Sequence, residues 1–148
     1  MSETLLVACP RCHTLNRAPR EKLAGGASGK CGKCGAALFD GHPVTLSAAN
    51  FEPHAVESDI PLLVDFWAPW CGPCRAMAPQ FERAAGALEP AVRLAKLNTD
   101  EEQALASQFG IRGIPTMILF SHGREVARQS GLMDAASIQR WVASAVGQ

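Results

Sequence analysis

Residues 61–67 read PLLVDFW, a run broken by a single polar side chain. A strand with one wet face alternates apolar with polar residues, so a run this continuous needs apolar cover on both faces. Helices packed on both sides of a sheet supply that cover, in chains where strands and helices alternate. The flanking sequence has the alternation. VTLS (44–47) predicts a short strand, and residues 50–58 a short helix capped by Asn50. Residues 71–88 predict a long helix with Met77, Phe81, Ala85 and Leu88 on one stripe. VRLAKLN (92–98) is a strand, 101–109 a helix, and TMILF (116–120) a second buried strand. The turn SHGR leads into an edge strand, REVARQ, in an antiparallel hairpin. Asp134 caps a last helix that buries Ile138, Trp141, Val142 and Ala145. The order βαβαβαββα specifies a layered α/β domain with a mixed central sheet over residues 43–148.

Asp65 is the polar residue inside the run, and a carboxylate there is costly unless it has work to do. Alternation puts it on the face of Leu63 and Trp67, under the helix that follows. Burial should raise its pKa and suit it to moving a proton to and from a thiol. The competing reading is an aspartate that only caps a turn at the strand's end.

Cys71 and Cys74 bracket the start of that helix, in WCGPC. A sulfur at a helix N-terminus lies among unpaired backbone N–H groups and at the positive end of the dipole, which favours thiolate over thiol. Gly72 and Pro73 fit the first turn, where the missing N–H of proline costs nothing. Cys74 is one turn deeper on the same face, so the pair can close a disulfide, with Cys71 the attacking thiolate and Cys74 the less exposed, resolving one. Pro79 should kink the helix farther on. The turn GIPT (113–116) precedes the second buried strand, and its Ile114–Pro115 bond can be cis. Ile114 would there offer free backbone groups to an extended substrate strand.

Residues 1–42 read differently. They hold Cys9-x2-Cys12 and Cys31-x2-Cys34, eighteen residues apart, and a GGASG stretch at 25–29, with little helix or strand period. About forty residues without a core need metal or disulfides to fold. The spacing matches a four-thiolate zinc ribbon, in which two CxxC knuckles complete a tetrahedron of sulfurs roughly 2.3 Å from the metal. Gly32 and Gly35 suit the knuckle backbone, and Pro10 stiffens the first knuckle. Iron is the alternative ion, and two disulfides or four free thiols the alternative arrangements. A cage closed by four sulfurs is structural, not catalytic, with a redox-regulatory role as the alternative, since zinc thiolates oxidised to disulfides release their metal. His13, His42, His54 and His122 are expected at the surface. The turn cluster Asp40–Pro43 marks the boundary between a zinc-ribbon domain, 1–42, and the α/β domain.

The net charge is zero, with six basic and three acidic side chains in residues 1–42 and eight and eleven in the rest. Nothing in that balance asks for nucleic acid or a membrane surface, and no stretch is apolar enough to span one. No secretory signal is visible, which points to the cytoplasm, where thiols stay reduced.

WCGPC, with Asp65 upstream and GIPT downstream, resembles the thioredoxin family across residues 44–148. With the two early knuckles, DFWAPWCGPC and FGIRGIPT, the whole chain is similar to the zinc-containing bacterial branch of that family. The resemblance implies a monomeric protein-disulfide reductase. Cys71 would attack a client disulfide and Cys74 resolve the mixed disulfide, with no organic cofactor beyond the Cys71–Cys74 pair. It implies a cis bond before Pro115, and Trp70, Gly72, Pro73, Gly113, Ile114, Pro115 and Gly131 at the docking face. It implies re-reduction by NADPH-dependent thioredoxin reductase, and Lys96 near the buried Asp65. Pro69 stands where the commonest members carry an acidic residue. An oxidase or isomerase is disfavoured by Gly-Pro between the cysteines. A ribbon that binds partners, with the other domain as scaffold, is disfavoured by the intact CGPC.

Overall fold

The computed structural model describes residues 3–24 and 29–147, and the first four residues of GGASG lie outside the described residues. Five strands form the main sheet: β3 (Val44–Thr45), β4 (Leu62–Trp67), β5 (Arg93–Asn98), β6 (Thr116–Ser121) and β7 (Arg124–Ser130), in the order β3-β5-β4-β6-β7. β3, β5 and β4 run parallel; β6 is antiparallel to β4, and β7 to β6. β4 is therefore central, and its first five residues are all buried, as the apolar run requires.

The two faces of the sheet carry separate cores. Leu63, Leu94, Met117 and Leu119 pack against Met77, Phe81 and Ala84 of α2 (Gly72–Leu88) and Ile138 and Val142 of α4 (Ala135–Val146). Leu62, Val64, Phe66, Ala95, Leu97, Ile118 and Phe120 face the other way, toward Phe51, Leu105 and Phe109. Each fully buried large apolar side chain contributes ~1.5–3 kcal/mol. Asp134 caps α4 by accepting the Ser137 N–H at 2.8 Å, and Trp141 is half-buried against the core.

Two helices differ from expectation. Residues 53–57 form a π-helical turn, and Asn50 does not cap it; the Asn50 Oδ1 accepts the Ser47 N–H at 2.8 Å and so closes the preceding turn. An Asx-type bond to a neighbouring backbone N–H competes with capping for the same oxygen. The helix α3 spans only Gln103–Gln108. α2 runs unbroken through Pro79.

The N-terminal segment is more ordered than its composition implies. β1 (Thr4–Ala8) and β2 (Leu15–Pro19) form an antiparallel pair, followed by the short helix α1 (Arg20–Ala24). Val7, Ala18, Leu23 and Leu38 bury a small cluster with Cys9 and Cys31, and Ile60 completes it from outside the segment. The segment is sewn to the residues before β4: the Leu6 N–H donates to Asp59 Oδ2 at 2.7 Å, and the Asp59 N–H to the Leu6 carbonyl at 2.8 Å.

Candidate active site and metal cage

β4 ends at Trp67, and after the buried Ala68 the chain turns into α2. Cys71 is the residue that caps α2, and its sulfur accepts the Cys74 N–H at 3.2 Å. This is one of the donors that a helix start leaves without an intrahelical partner. Pro73 occupies the first turn. Cys71 and Cys74 form a disulfide, with Cα atoms 5.2 Å apart. Both are buried, at 4% and 2% exposure, so exposure does little to distinguish them. The cap position does.

Across from the sulfurs lies the turn before β6. Cys71, Cys74, Ala68, Trp67 and Ile114 share one cluster, and the Cys71 sulfur is 3.7 Å from the Ile114 carbonyl oxygen. The Ile114–Pro115 bond is cis, as the resemblance implies, and Glu89–Pro90 is cis as well. The Gly131 N–H donates to the Pro115 carbonyl at 2.9 Å, and the φ of +100° at Gly131 explains why glycine stands there. Gly113 is exposed beside this turn. Trp70 is 66% exposed at the rim, held by its indole N–H to Asp100 Oδ1 at 3.2 Å.

Asp65 is fully buried, and neither carboxyl oxygen has a hydrogen-bond partner among the described residues. Burial pushes its pKa up to about 7, and the Lys96 charge opposes that rise. Asp65 pairs with Lys96 in the β4–β5 register, yet the Lys96 Nζ sits 4.5 Å over the Trp67 ring. The lysine lowers the carboxyl's pKa without bonding to it.

The other four cysteines gather in the N-terminal segment. Their Sγ atoms all lie within 4.8 Å of one another. The knuckles are near copies. The Arg11 N–H reaches the Cys9 sulfur at 3.3 Å and the Lys33 N–H the Cys31 sulfur at 3.4 Å. The residues after the second cysteines, His13 and Gly35, both take positive φ, +66° and +80°, and donate their N–H groups to the carbonyls of Cys9 and Cys31. Gly35 thus has the conformation expected of it, whereas Gly32 does not. Four soft sulfurs converging with N–H donors aimed at two of them are the donor set that zinc takes, so Cys9, Cys12, Cys31 and Cys34 fit the metal.

One expectation fails here: His54 is not at the surface. It is 2% exposed, and its Nε2 lies 2.9 Å from the Nδ1 of His13, beside the first knuckle. Burial, then the charge of Arg93, pushes its pKa down to about 3, so it is a neutral, hydrogen-bonding part of the contact between segments. His42 and His122 are exposed as expected, and His13 is half-buried. Arg93 and Glu89 were also missed. Both side chains are 3% exposed and they pair at 3.5 Å. A charged residue opening the strand VRLAKLN was the signal that could have singled out Arg93.

Residues 42–144 match the family model for thioredoxin, and residues 8–36 match the model described as the N-terminal zinc ribbon of thioredoxin 2. The chain belongs to the thioredoxin family. It is 40% identical to thioredoxin C-3 of Corynebacterium nephridii over 138 residues, 93% of each chain. It is 49% identical to the thioredoxin of Alicyclobacillus acidocaldarius over 100 residues, which cover 68% of this chain and 94% of that one. Its fold overlays a mutant thioredoxin from Halobacterium salinarum NRC-1 with a TM-score of 0.64 and 34% identity, covering 72% of this chain and 92% of the other. The chain is thus a thioredoxin-type disulfide oxidoreductase: a thioredoxin fold with a small N-terminal zinc ribbon. Among the described residues no helix is long and apolar enough to cross a membrane.

Proposed function

We propose that residues 43–148 reduce disulfides of client proteins through Cys71 and Cys74, and that residues 1–42 hold one zinc ion. The observation that carries this reading is the sulfur of Cys71 capping α2, linked to Cys74 across the first turn. In the reduced protein the same N–H donor and the helix dipole stabilise a thiolate on Cys71. That thiolate attacks one sulfur of the client disulfide, forming a mixed disulfide and releasing the other client sulfur as a thiolate. Cys74 then loses its proton and attacks the Cys71 sulfur. The Cys71–Cys74 disulfide forms, and the client leaves with both electrons.

Asp65 takes the proton from Cys74 during resolution and returns it on re-reduction. A pKa of about 7 leaves it divided between acid and base at neutral pH. The client lies as an extended strand against the backbone of Gly113, Ile114 and Pro115, beside Trp70 and Gly131. Gly72 and Pro73 keep bulky side chains from the sulfur. A thioredoxin reductase drawing on NADPH restores the dithiol, and the protein acts as a monomer in the cytoplasm. The zinc, bound by Cys9, Cys12, Cys31 and Cys34, supplies metal–sulfur bonds that fold the ribbon. Replacing Cys74 by serine tests the assignment of roles. Cys74→Ser should accumulate covalent mixed disulfides with clients; trapping to the same extent by Cys71→Ser would overturn it.

A further inference from the structure

Arg93 opens β5 in the thioredoxin domain, but its side chain belongs to the ribbon. Its guanidinium is buried, and one terminal nitrogen donates both to the Ala8 carbonyl at 2.8 Å and to the Leu38 carbonyl at 2.7 Å. Ala8 is the residue before the ligand Cys9, on the strand entering the first knuckle. Leu38 lies on the leg leaving the second knuckle, where its N–H reaches back to the Gly29 carbonyl and Lys30 bridges Ala37. One nitrogen therefore ties the entry of one knuckle to the exit of the other. The guanidinium is itself fixed. The Phe39 ring lies 4.2 Å from its carbon, and Glu89 Oε2 is 3.5 Å from its second nitrogen. The other Glu89 oxygen accepts the Gly41 N–H at 3.1 Å, at the end of the ribbon segment.

We propose that Arg93 is a positioning residue for the metal cage, holding the two knuckles at the separation at which their four sulfurs converge. Rigid spacing matters because each knuckle carries only two ligands, and a tetrahedral site forms only when the two pairs meet at a fixed distance. Charge supports the same role. Four thiolates on a divalent ion carry a net charge of −2, and Arg93 brings a buried positive charge to the carbonyl beside one of them. The polar ties between the segments at Leu6 (Asp59, Ser58), at His13 (His54, Asn50) and at residues 41 and 42 (Glu89, Glu82) do not join one knuckle to the other. Inside the ribbon, Asn16 Oδ1 accepts the Gly32 N–H at 2.9 Å and links the knuckles from the opposite side to Arg93, at the exit of the first and the turn of the second. The affinity of the ribbon for zinc is then partly encoded in the thioredoxin domain. This inference rests on the reading of Cys9, Cys12, Cys31 and Cys34 as zinc ligands.

The test is zinc affinity, measured on the full-length reduced chain by competition with a chromophoric chelator. The variants are Arg93→Gln and Arg93→Lys, with Asp59→Ala, which cuts a tie between the segments without touching the knuckles, as the mooring control. Partners that orient metal ligands from behind typically govern affinity by about 10–100-fold, so Arg93→Gln should weaken zinc by that factor. Arg93→Lys keeps the charge but not the planar fork, and should weaken zinc by about tenfold. Asp59→Ala should cost less than either. Equal loss in Asp59→Ala and Arg93→Lys would reduce Arg93 to a general mooring and overturn the proposal, as would unchanged affinity in Arg93→Gln. If Arg93→Gln does not fold, Arg93→Lys decides by the same comparison, with cobalt(II) in place of zinc reporting ligand geometry through its visible bands. A wild-type chain that takes up no zinc would overturn the metal reading itself, and the clamp with it.

Discussion

Cys9–Cys12 and Cys71–Cys74 are separated by the same two residues, yet one pair closes a loop between two short strands and the other opens a 17-residue helix. In the loop, the first sulfur accepts backbone N–H groups and looks across at a second knuckle, with the Cys9 and Cys34 sulfurs 3.6 Å apart. At the helix start no second knuckle faces the pair among the described residues, and the partner within reach is the sulfur one turn away. The spacing fixes only that two sulfurs share one side of a turn. What stands opposite them decides between holding a metal and exchanging electrons.

The sharpest way to break the contrast is to remove one sulfur from each region. Cys71→Ser should lower disulfide reduction on the order of a thousandfold or more while zinc content stays at one per chain. Cys31→Ser should abolish zinc binding and leave the reduction of a small disulfide within about tenfold of wild type, given independent sites. Activity assays beside metal analysis of both variants check this. If the two properties fall together in either variant, the regions are not chemically separate.

The buried acid and the buried base contrast in sign. Asp65 titrates near 7 in the folded protein against an ordinary 3.8, so the folded state binds an extra proton between those values. Its contribution is most favourable below pH 4 and is lost as pH rises through about 7, on the order of 4 kcal/mol in all. Asp65→Asn should remove that slope and stabilise the protein in mildly alkaline solution, as chemical denaturation across pH would record. A slope that persists in the variant would mean that the carboxyl is not the group responsible. The same variant should slow release of the client at neutral pH more than the first attack.

His54 runs the other way. Its folded pKa of about 3 lies below the ordinary 6.5, so the unfolded chain takes the proton first. Stability from this group is present above pH 6.5 and lost as pH falls toward 3, amounting to about 2 kcal/mol by pH 5. His54→Gln should flatten that part of the pH profile; an unchanged acid limb would mean that His54 is not the group responsible. The smallest effect is expected at the rim. Asp100→Ala frees the Trp70 indole of a hydrogen bond worth about 1 kcal/mol, which should raise KM for a protein substrate a few-fold and leave kcat unchanged. A change in kcat instead would place Trp70 closer to the chemistry than the client's docking surface.

What could be read in the sequence follows the range of the interaction. The burial of Asp65 was legible because alternation within one strand sets its face, and the disulfide because both cysteines lie in one helical turn. The gathering of the four sulfurs was legible because knuckle spacing is local, even though the two knuckles are far apart in sequence. The strands of the ribbon were not, since five residues give too few alternations to stand above a polar background. Nor was the joint between ribbon and sheet. Arg93 finds its partners 85 and 55 residues away, and His54 meets His13 across 41. No local period records such pairs, and a histidine read from sequence alone defaults to the surface.

β4 also works as a ruler. The ties of the ribbon meet the sheet just before its first residue, and the disulfide follows its last. Six residues at about 3.3 Å each set the two ends roughly 20 Å apart. On the proposed docking face at Trp70, a disulfide peptide of about two or three residues would be shorter than that gap and would not reach the ribbon. A folded client of about a hundred residues, with a radius of gyration near 13 Å, is wide enough to rest on both. On the proposed reading, the same electron-transfer site would stand alone for small substrates and have the ribbon as a neighbour for large ones.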